Sequence, residues 1–201
     1  SFSAITTTSG ANIITLGAEA DATGITSIVG AANVDTIDVS NVDYDNAISI
    51  TGGDGADTIT LGAAGQVDTL IFADGDGAAT SARTLTTAVA SGDTMTFTGA
   101  LGQDQITGFD VGADIIKGMD AGLPTTGIGV AFAAGFAANT TYFLSGAYIS
   151  NTGVFTIAAD GAGADTIIIE GDGTTLAGIN DDMVVLVGID SDDLVAANFV
   201  A

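Results

Sequence analysis

Short apolar runs recur along the first part of the chain, with centres near Ile14, Thr26, Ile37, Ile48, Ile59 and Leu70, so the beat is about eleven residues. Each run is brief (ITL, ITSIV, TIDV, AISI, TITL, TLIF), and the stretches between them are small or acidic. Alternation of this length, rich in Thr, Ile and Val and bounded by Gly, Asn and Asp, predicts strands separated by turns. An Asp or Asn stands two residues before the apolar centre at Asn12, Asp35, Asp57 and Asp68. Two strands per coil of about 22 residues fit this spacing and predict a right-handed parallel solenoid with aspartates stacked on an edge. An antiparallel sandwich also gives short strands at this interval, and the stacked pattern favours the solenoid.

The beat stops at Ala73. Residues 73–91 read as a loop insertion carrying Arg83, and strands resume at Thr94–Thr98, Gln105–Gly108 and Asp114–Lys117. The stretch 121–138 holds the only proline and little charge, which marks a boundary. Beyond it TTYFLSG, GVFTIAA, ADTIIIE and DDMVVLVG predict an antiparallel sandwich or extended sheet. The expected fold is therefore all-β: a parallel β-roll or β-solenoid over 1–120, then a C-terminal β-sandwich-like sheet over 121–201.

Composition sharpens this. Against 25 acidic residues stand two basic ones, Arg83 and Lys117, and all the acids except Glu19 and Glu170 are aspartate. A formal charge of -23 repels itself in a compact chain, so a cation belongs to the expected structure. Phosphate backbones and anionic membranes need a basic face, so nucleic acid and anionic membrane surfaces are not expected as partners, nor is membrane insertion. The chain has no Cys and no His, which removes disulfides, thiol chemistry and imidazole ligands. The remaining oxygen ligands select hard cations such as calcium.

The strongest local pattern is Gly52-Gly53-Asp54-Gly55-Ala56-Asp57-Thr58-Ile59-Thr60, which satisfies the nonapeptide G-G-x-G-x-D-x-U-x at every specified position. Its glycines permit a tight turn with carbonyl oxygens turned inward, Asp57 supplies a carboxylate, and Ile59 enters the strand stack. Degenerate copies run from Gly30 through Asn33 and Asp35 to Asp38, and from Asp160 through Asp165 to Ile168. A further copy, Gly62 to Leu70, carries one extra residue before Asp68.

On these residues the chain resembles the RTX family of calcium-binding, type I secreted bacterial proteins. The segment 102–116 resembles the strand pair that follows RTX repeats, and it brings in Asp104, Asp110 and Asp114 as further candidate ligands. The resemblance implies calcium held by Gly53, Asp54, Gly55, Asp57, Asn33, Asp35, Asp68, Asp104, Asp110, Asp114, Asp160 and Asp165. It also implies export through uncleaved C-terminal information, in keeping with an N-terminal SFSAITTTSG that lacks the regions of a cleavable signal peptide. The family's paired loops recur every 18 residues or so, whereas the coil here is nearer 22.

Each of these carboxylates also fits a plainer role. Asp-Gly marks ordinary turns, Asn12 and Asn33 suit turn caps, and Asp181-Asp182 and Asp192-Asp193 read as solvated charge. Asp74-Gly75-Asp76-Gly77 and Glu170-Gly171-Asp172-Gly173 begin like EF-hand loops but lack the later ligands. Catalysis is not expected, because nothing places a carboxylate pair, Arg83 or Lys117 into a working constellation. The function expected is a secreted structural protein of the bacterial cell surface, a self-assembling surface layer. Its expected partners are further copies of itself through calcium, and a cell-surface polysaccharide. The alternative is an RTX accessory region of a larger secreted protease or lipase, or of an adhesin.

Overall fold

The computed structural model of the chain describes residues 3–41, 44–62, 65–72, 82–83, 91–96, 103–119, 125–126, 140–171 and 183–200. The elements in chain order are β1 (Ala4–Thr6), β2 (Ile13–Thr15), helix α1 (Ala18–Thr23), β3 (Ser27–Val29), β4 (Thr36–Asp38) and β5 (Ser49–Thr51). Then come β6 (Thr58–Thr60), β7 (Thr69–Ile71), β8 (Ala82–Arg83), β9 (Thr94–Thr96), β10 (Asp104–Thr107) and β11 (Ile115–Lys117). The remainder are β12 (Thr125–Thr126), β13 (Thr140–Ile149), β14 (Val154–Ile157), β15 (Asp165–Gly171), β16 (Met183–Val187) and β17 (Phe199–Val200).

Successive early strands alternate between two sheets, as a coil of two strands requires. One sheet has the order β1-β3-β5-β7-β11-β17, and the other begins β2-β4-β6-β10-β16. All these pairings are parallel. In the first sheet Ile5, Ile28, Ile50, Leu70, Ile116 and Phe199 stand in register. In the second the row is Ile14, Ile37, Ile59, Ile106 and Leu186.

These rows follow from the period of two in a strand. The middle residue of Ser-Ile-Thr, Thr-Ile-Thr or Thr-Leu-Ile points inward, and its neighbours face outward. Ile28, Ile37, Ile50, Ile59, Leu70, Ile106 and Ile116 are all buried in one core between the sheets. Each such side chain contributes about 1.5–3 kcal/mol through burial, so register is strongly specified. Two sheets facing one another in this way form a roll, without closing into a single solenoid wall.

The linker GAEADAT holds a short helix rather than the expected turn. Alanines and Glu19 favour helix, Gly17 is extended at its start, and Gly24 ends it in the left-handed region at φ 76°. Asn46 in the next coil donates through Nδ2 to the Asp21 carboxylate at 2.6 Å, which fastens the helix to the stack.

From β16 outward the pairings along the second sheet are antiparallel, as expected, and they take the form of an extended sheet that continues it edge to edge. From β16 the order continues β15-β13-β14-β9-β8, with β12 beside β13. The unbroken apolar runs in β15 and β16 have a physical cause: both faces are covered. Ile168, Val184 and Leu186 join the core of the roll, while Ile167, Ile169, Met183 and Val185 enter a second cluster with Leu144 and Phe155. Of the insertion expected over 73–91, only Ala82–Arg83 and Ser91 lie within the described residues; most of the boundary stretch 121–138 lies outside them as well. Among the described residues no helix is long and apolar enough to cross a membrane.

Candidate cation-binding edge

The two edges of the roll are built from different connections. Chain passing from the first sheet to the second makes the glycine-rich turns Gly30–Asp35 and Gly52–Asp57, one lying directly on the other. Chain returning from the second sheet to the first makes the longer connections that include α1, Asp68 and the segment from Asp110 to Asp114.

At the glycine-rich edge the aspartates form a ladder. The backbone N–H and the side-chain Nδ2 of Asn12 both donate to Oδ1 of Asp35, at 2.7 and 2.8 Å. The N–H of Asp35 donates to Oδ1 of Asp57 at 2.7 Å, and the N–H of Asp57 to Oδ1 of Asp104 at 2.8 Å. Asp35, Asp57 and Asp104 are all buried. Hydrogen bonds to an ionised acceptor of this kind are among the stronger ones. Asn12, which the sequence suggests as a turn cap, caps in fact: its Nδ2 also donates to the Gly10 carbonyl.

The glycines of the nonapeptide are needed for close approach. A Cβ on Gly53 (φ 92°) would sit 2.5 Å from the Ala31 carbonyl oxygen, and one on Gly55 (φ 144°) 2.8 Å from that of Asn33. At Gly30 a Cβ would lie 2.6 Å from Asp35 Oδ2 and against the Gly52 carbonyl, and at Gly52 it would strike Asp57 Oδ2. Only hydrogen fits between these turns. Carbonyl oxygens of Ala31, Asn33 and Gly52 and the carboxylates of Asp35 and Asp57 thus line the contact between the two turns, where Asp35 Oδ2 accepts from the Ala31 N–H at 3.0 Å and the Ala31 carbonyl from the Asn33 N–H at 3.0 Å; oxygen is the donor type calcium takes. Asn33 and Asp54 are exposed, Asn33 contributing its carbonyl and Asp54 standing at the turn tip. Among the described residues no three acidic side chains converge into a metal-holding cluster.

The carboxylates of the opposite edge form a ladder of the same kind. Asp68 Oδ1 accepts from the Ile48 N–H at 3.0 Å, and Asp114 Oδ1 from the Asp68 N–H at 2.9 Å. Asp114 Oδ2 accepts from the Asp110 N–H at 2.8 Å. Asp110 accepts from Gly112 at 2.8 Å and from Gly65 at 3.1 Å. Burial raises the Asp68 carboxyl above the usual range. Burial likewise lifts Asp114 to about 6, against the lowering effect of its backbone donors. Nearby Tyr44 donates its hydroxyl to the Ile25 carbonyl at 2.6 Å and is pushed up to about 12 by burial and by the negative charge of Asp68 and Asp21.

The copy at 160–168 is not stacked on the others. Asp165 opens β15, where its oxygens accept from the N–H groups of Tyr148 at 2.7 Å and Gly188 at 2.8 Å, and Asp160 is exposed in the preceding turn. The sequence did not single out Asn198, a buried amide whose Nδ2 donates to the carbonyls of Val111 at 3.0 Å and Asp114 at 2.9 Å. Its only local signal is a polar residue placed just before the last apolar pair.

No family model and no curated protein matches the chain. Among solved structures it is similar to a subunit of a mannuronan C5-epimerase. That structure is the solution structure of the AlgE6R2 subunit from Azotobacter vinelandii, at 17% identity and a TM-score of 0.46, covering 98% of this chain and 91% of that one. The AlgE6R3 subunit of the same enzyme is similar at 19% identity and a TM-score of 0.38, covering 98% of this chain and 77% of that one.

Proposed function

We propose that this chain is a calcium-holding β-roll module of the RTX type, structural and not catalytic, in a secreted protein of the bacterial cell surface. The observation that carries the reading is the seam between Gly30–Asp35 and Gly52–Asp57, where oxygens crowd so closely that no Cβ fits. Calcium bound there supplies positive charge to a chain that carries -23 and has only Arg83 and Lys117 of its own. Asp35 and Asp57 with the carbonyls of Ala31, Asn33 and Gly52 would hold it. The non-catalytic reading follows from a chain without His or Cys.

Within this reading the module assembles with further copies of itself into a surface layer, calcium bridging acidic faces, with a cell-surface polysaccharide as anchor and type I secretion as the route of export. Calorimetric titration of the metal-stripped chain tests the first part. Uptake of calcium that is weakened about tenfold or more in Asp57→Asn is expected, and a wild-type chain indifferent to calcium would overturn it. Electron microscopy tests the second: ordered sheets should form on adding calcium and disperse with chelator, and sheets that persist unchanged would sink the calcium-bridged assembly.

A further inference from the structure

The roll has one open end. Among the described residues β1 is paired by β3 alone and β2 by β4 alone, so both strands of the first coil leave an outer edge uncovered at the same end of the stack. At the far end the second sheet runs on from β10 into β16 and the antiparallel strands, so no such two-strand edge stands there. We propose that the first coil is a docking surface for a second copy of this chain. The two copies meet end to end about a two-fold, which opposes their strands, so the edges pair antiparallel. This contact needs no metal and no acidic face, which sets it apart from the calcium-bridged assembly proposed above.

The edge is built to pair. In a parallel ladder alternate residues aim both backbone groups at the same neighbour. The Thr7 N–H donates to the Val29 carbonyl at 2.9 Å, the Asn12 carbonyl accepts from Thr36 at 2.8 Å, and the Leu16 N–H donates to the Asp38 carbonyl at 2.9 Å. The residues of opposite parity, Ala4 and Thr6 in β1 and Ile13 and Thr15 in β2, therefore aim N–H and C=O at the open side. All four are exposed, whereas the matching positions of β3, β5 and β6 are half-buried. Ile5 and Ile14, the first members of the two inward rows, are only partly buried, while Ile28 and Ile37 behind them are wholly so. A further layer of strands would close the core.

Charge is what selects another copy of the same chain. With a formal charge of -23, two copies repel one another over most of their surface. The first charged side chain is Glu19, and the first coil up to that point also has no proline, so it lacks two devices that keep a sheet edge from pairing. Even the ladder positions are neutral here. Where later coils carry Asp35, Asp57 and Asp104 two residues before the inward apolar residue, the first carries Asn12. Where the other sheet carries Asp68 and Asp114, its first strand is preceded by Ser3. Asn12 still ties the coil to Asp35, through its backbone N–H and its amide, and adds no charge. The nearest acids lie in α1, where Asp21 is turned to Asn46 of the next coil and Glu19 is exposed.

Sedimentation of the full chain over a concentration series tests the contact, in calcium and in chelator, with circular dichroism reporting the fold in each. A dimer is expected in calcium, and in chelator its dissociation constant should stay within about twofold while the fold persists. Thr15→Pro removes an outward N–H at a place where an edge strand tolerates proline, and should raise the dissociation constant about tenfold or more. Thr6→Asp puts a like charge on an exposed edge position and should do the same without touching the backbone. A chain that stays monomeric throughout, or a dimer indifferent to both substitutions, would overturn the proposal. So would a dimer that vanishes in chelator while the fold persists, an outcome that leaves the calcium-bridged assembly standing. A dimer of a chain that takes up no calcium would support the contact and defeat only the function proposed above.

Discussion

The backbone N–H of Asp35 meets Oδ1 of Asp57 at 2.7 Å across a separation of 22 residues, one full coil. The nonapeptide aspartate therefore has a second task besides facing its own turn: it ties the coil before it. A buried donor that loses such an acceptor costs about 1–3 kcal/mol. Asp57→Ala is expected to destabilise the chain by about that amount even in chelator, and Asp57→Asn by less. Urea unfolding of the two variants without calcium measures the difference.

The glycines of the seam and those of open turns should respond differently to alanine. Gly53 and Gly65 both have positive φ, at 92° and 104°, but only Gly53 faces a carbonyl at 2.5 Å from an added Cβ. Gly65→Ala is expected to cost about 1 kcal/mol from backbone strain alone. Gly53→Ala should cost clearly more and also weaken calcium uptake, because the neighbouring turn must move. Paired denaturation and calcium titrations check both parts.

Acidity offers a third test. Asp114 ionises near 3.8 when unfolded but keeps its proton up to about 6 when folded, so its neutral form is the one the fold favours. The stability it lends is fully present below 3.8 and is lost as pH rises through about 6. Asp68, raised by burial, acts in the same direction. Asp38, lowered by its bonds from the Ser40 hydroxyl and N–H, acts in the opposite sense. Asp114→Asn should therefore flatten the stability curve through the acid range, and urea midpoints for wild type and variant at a series of pH values decide it.

The core rows set the scale of stability. Ile59 is buried between Ile37 and Ile106, with strands on both sides. Ile59→Val should cost about 0.5–1.5 kcal/mol and Ile59→Ala about 2–5 kcal/mol. Ile13 lies in the same sheet but faces outward, 84% exposed, and Ile13→Ala should be nearly silent. Thermal unfolding of the three variants would reveal a shifted register if Ile13 proved the costly one.

Much of the roll was legible in the chain because its rules are local. A period of two within each run and a Gly or Asp at each turn placed Ile14, Ile37, Ile59 and Leu70 in the core, and the intact nonapeptide marked the seam at Gly52–Asp57. The helix at Ala18–Thr23 was hidden because six residues are too few to show a helical period.

The sequence by itself determined the strand rhythm, the inward rows, the acid-rich turns and the restriction to oxygen ligands, since each depends on residues a few positions apart. Only the tertiary structure decided that β10 continues β6 and β11 continues β7 across a separation of more than forty residues, and that β16 and β17 complete the two stacks. It also decided which aspartates lie beside close-packed glycine turns, as Asp35 and Asp57 do, although backbone donors reach the carboxylates at both edges. Asp57 and Asp68 look alike in the chain. Each accepts an N–H from the preceding coil, and what distinguishes them is the neighbouring turn, which presses on Gly52–Asp57 and leaves Gly65 open.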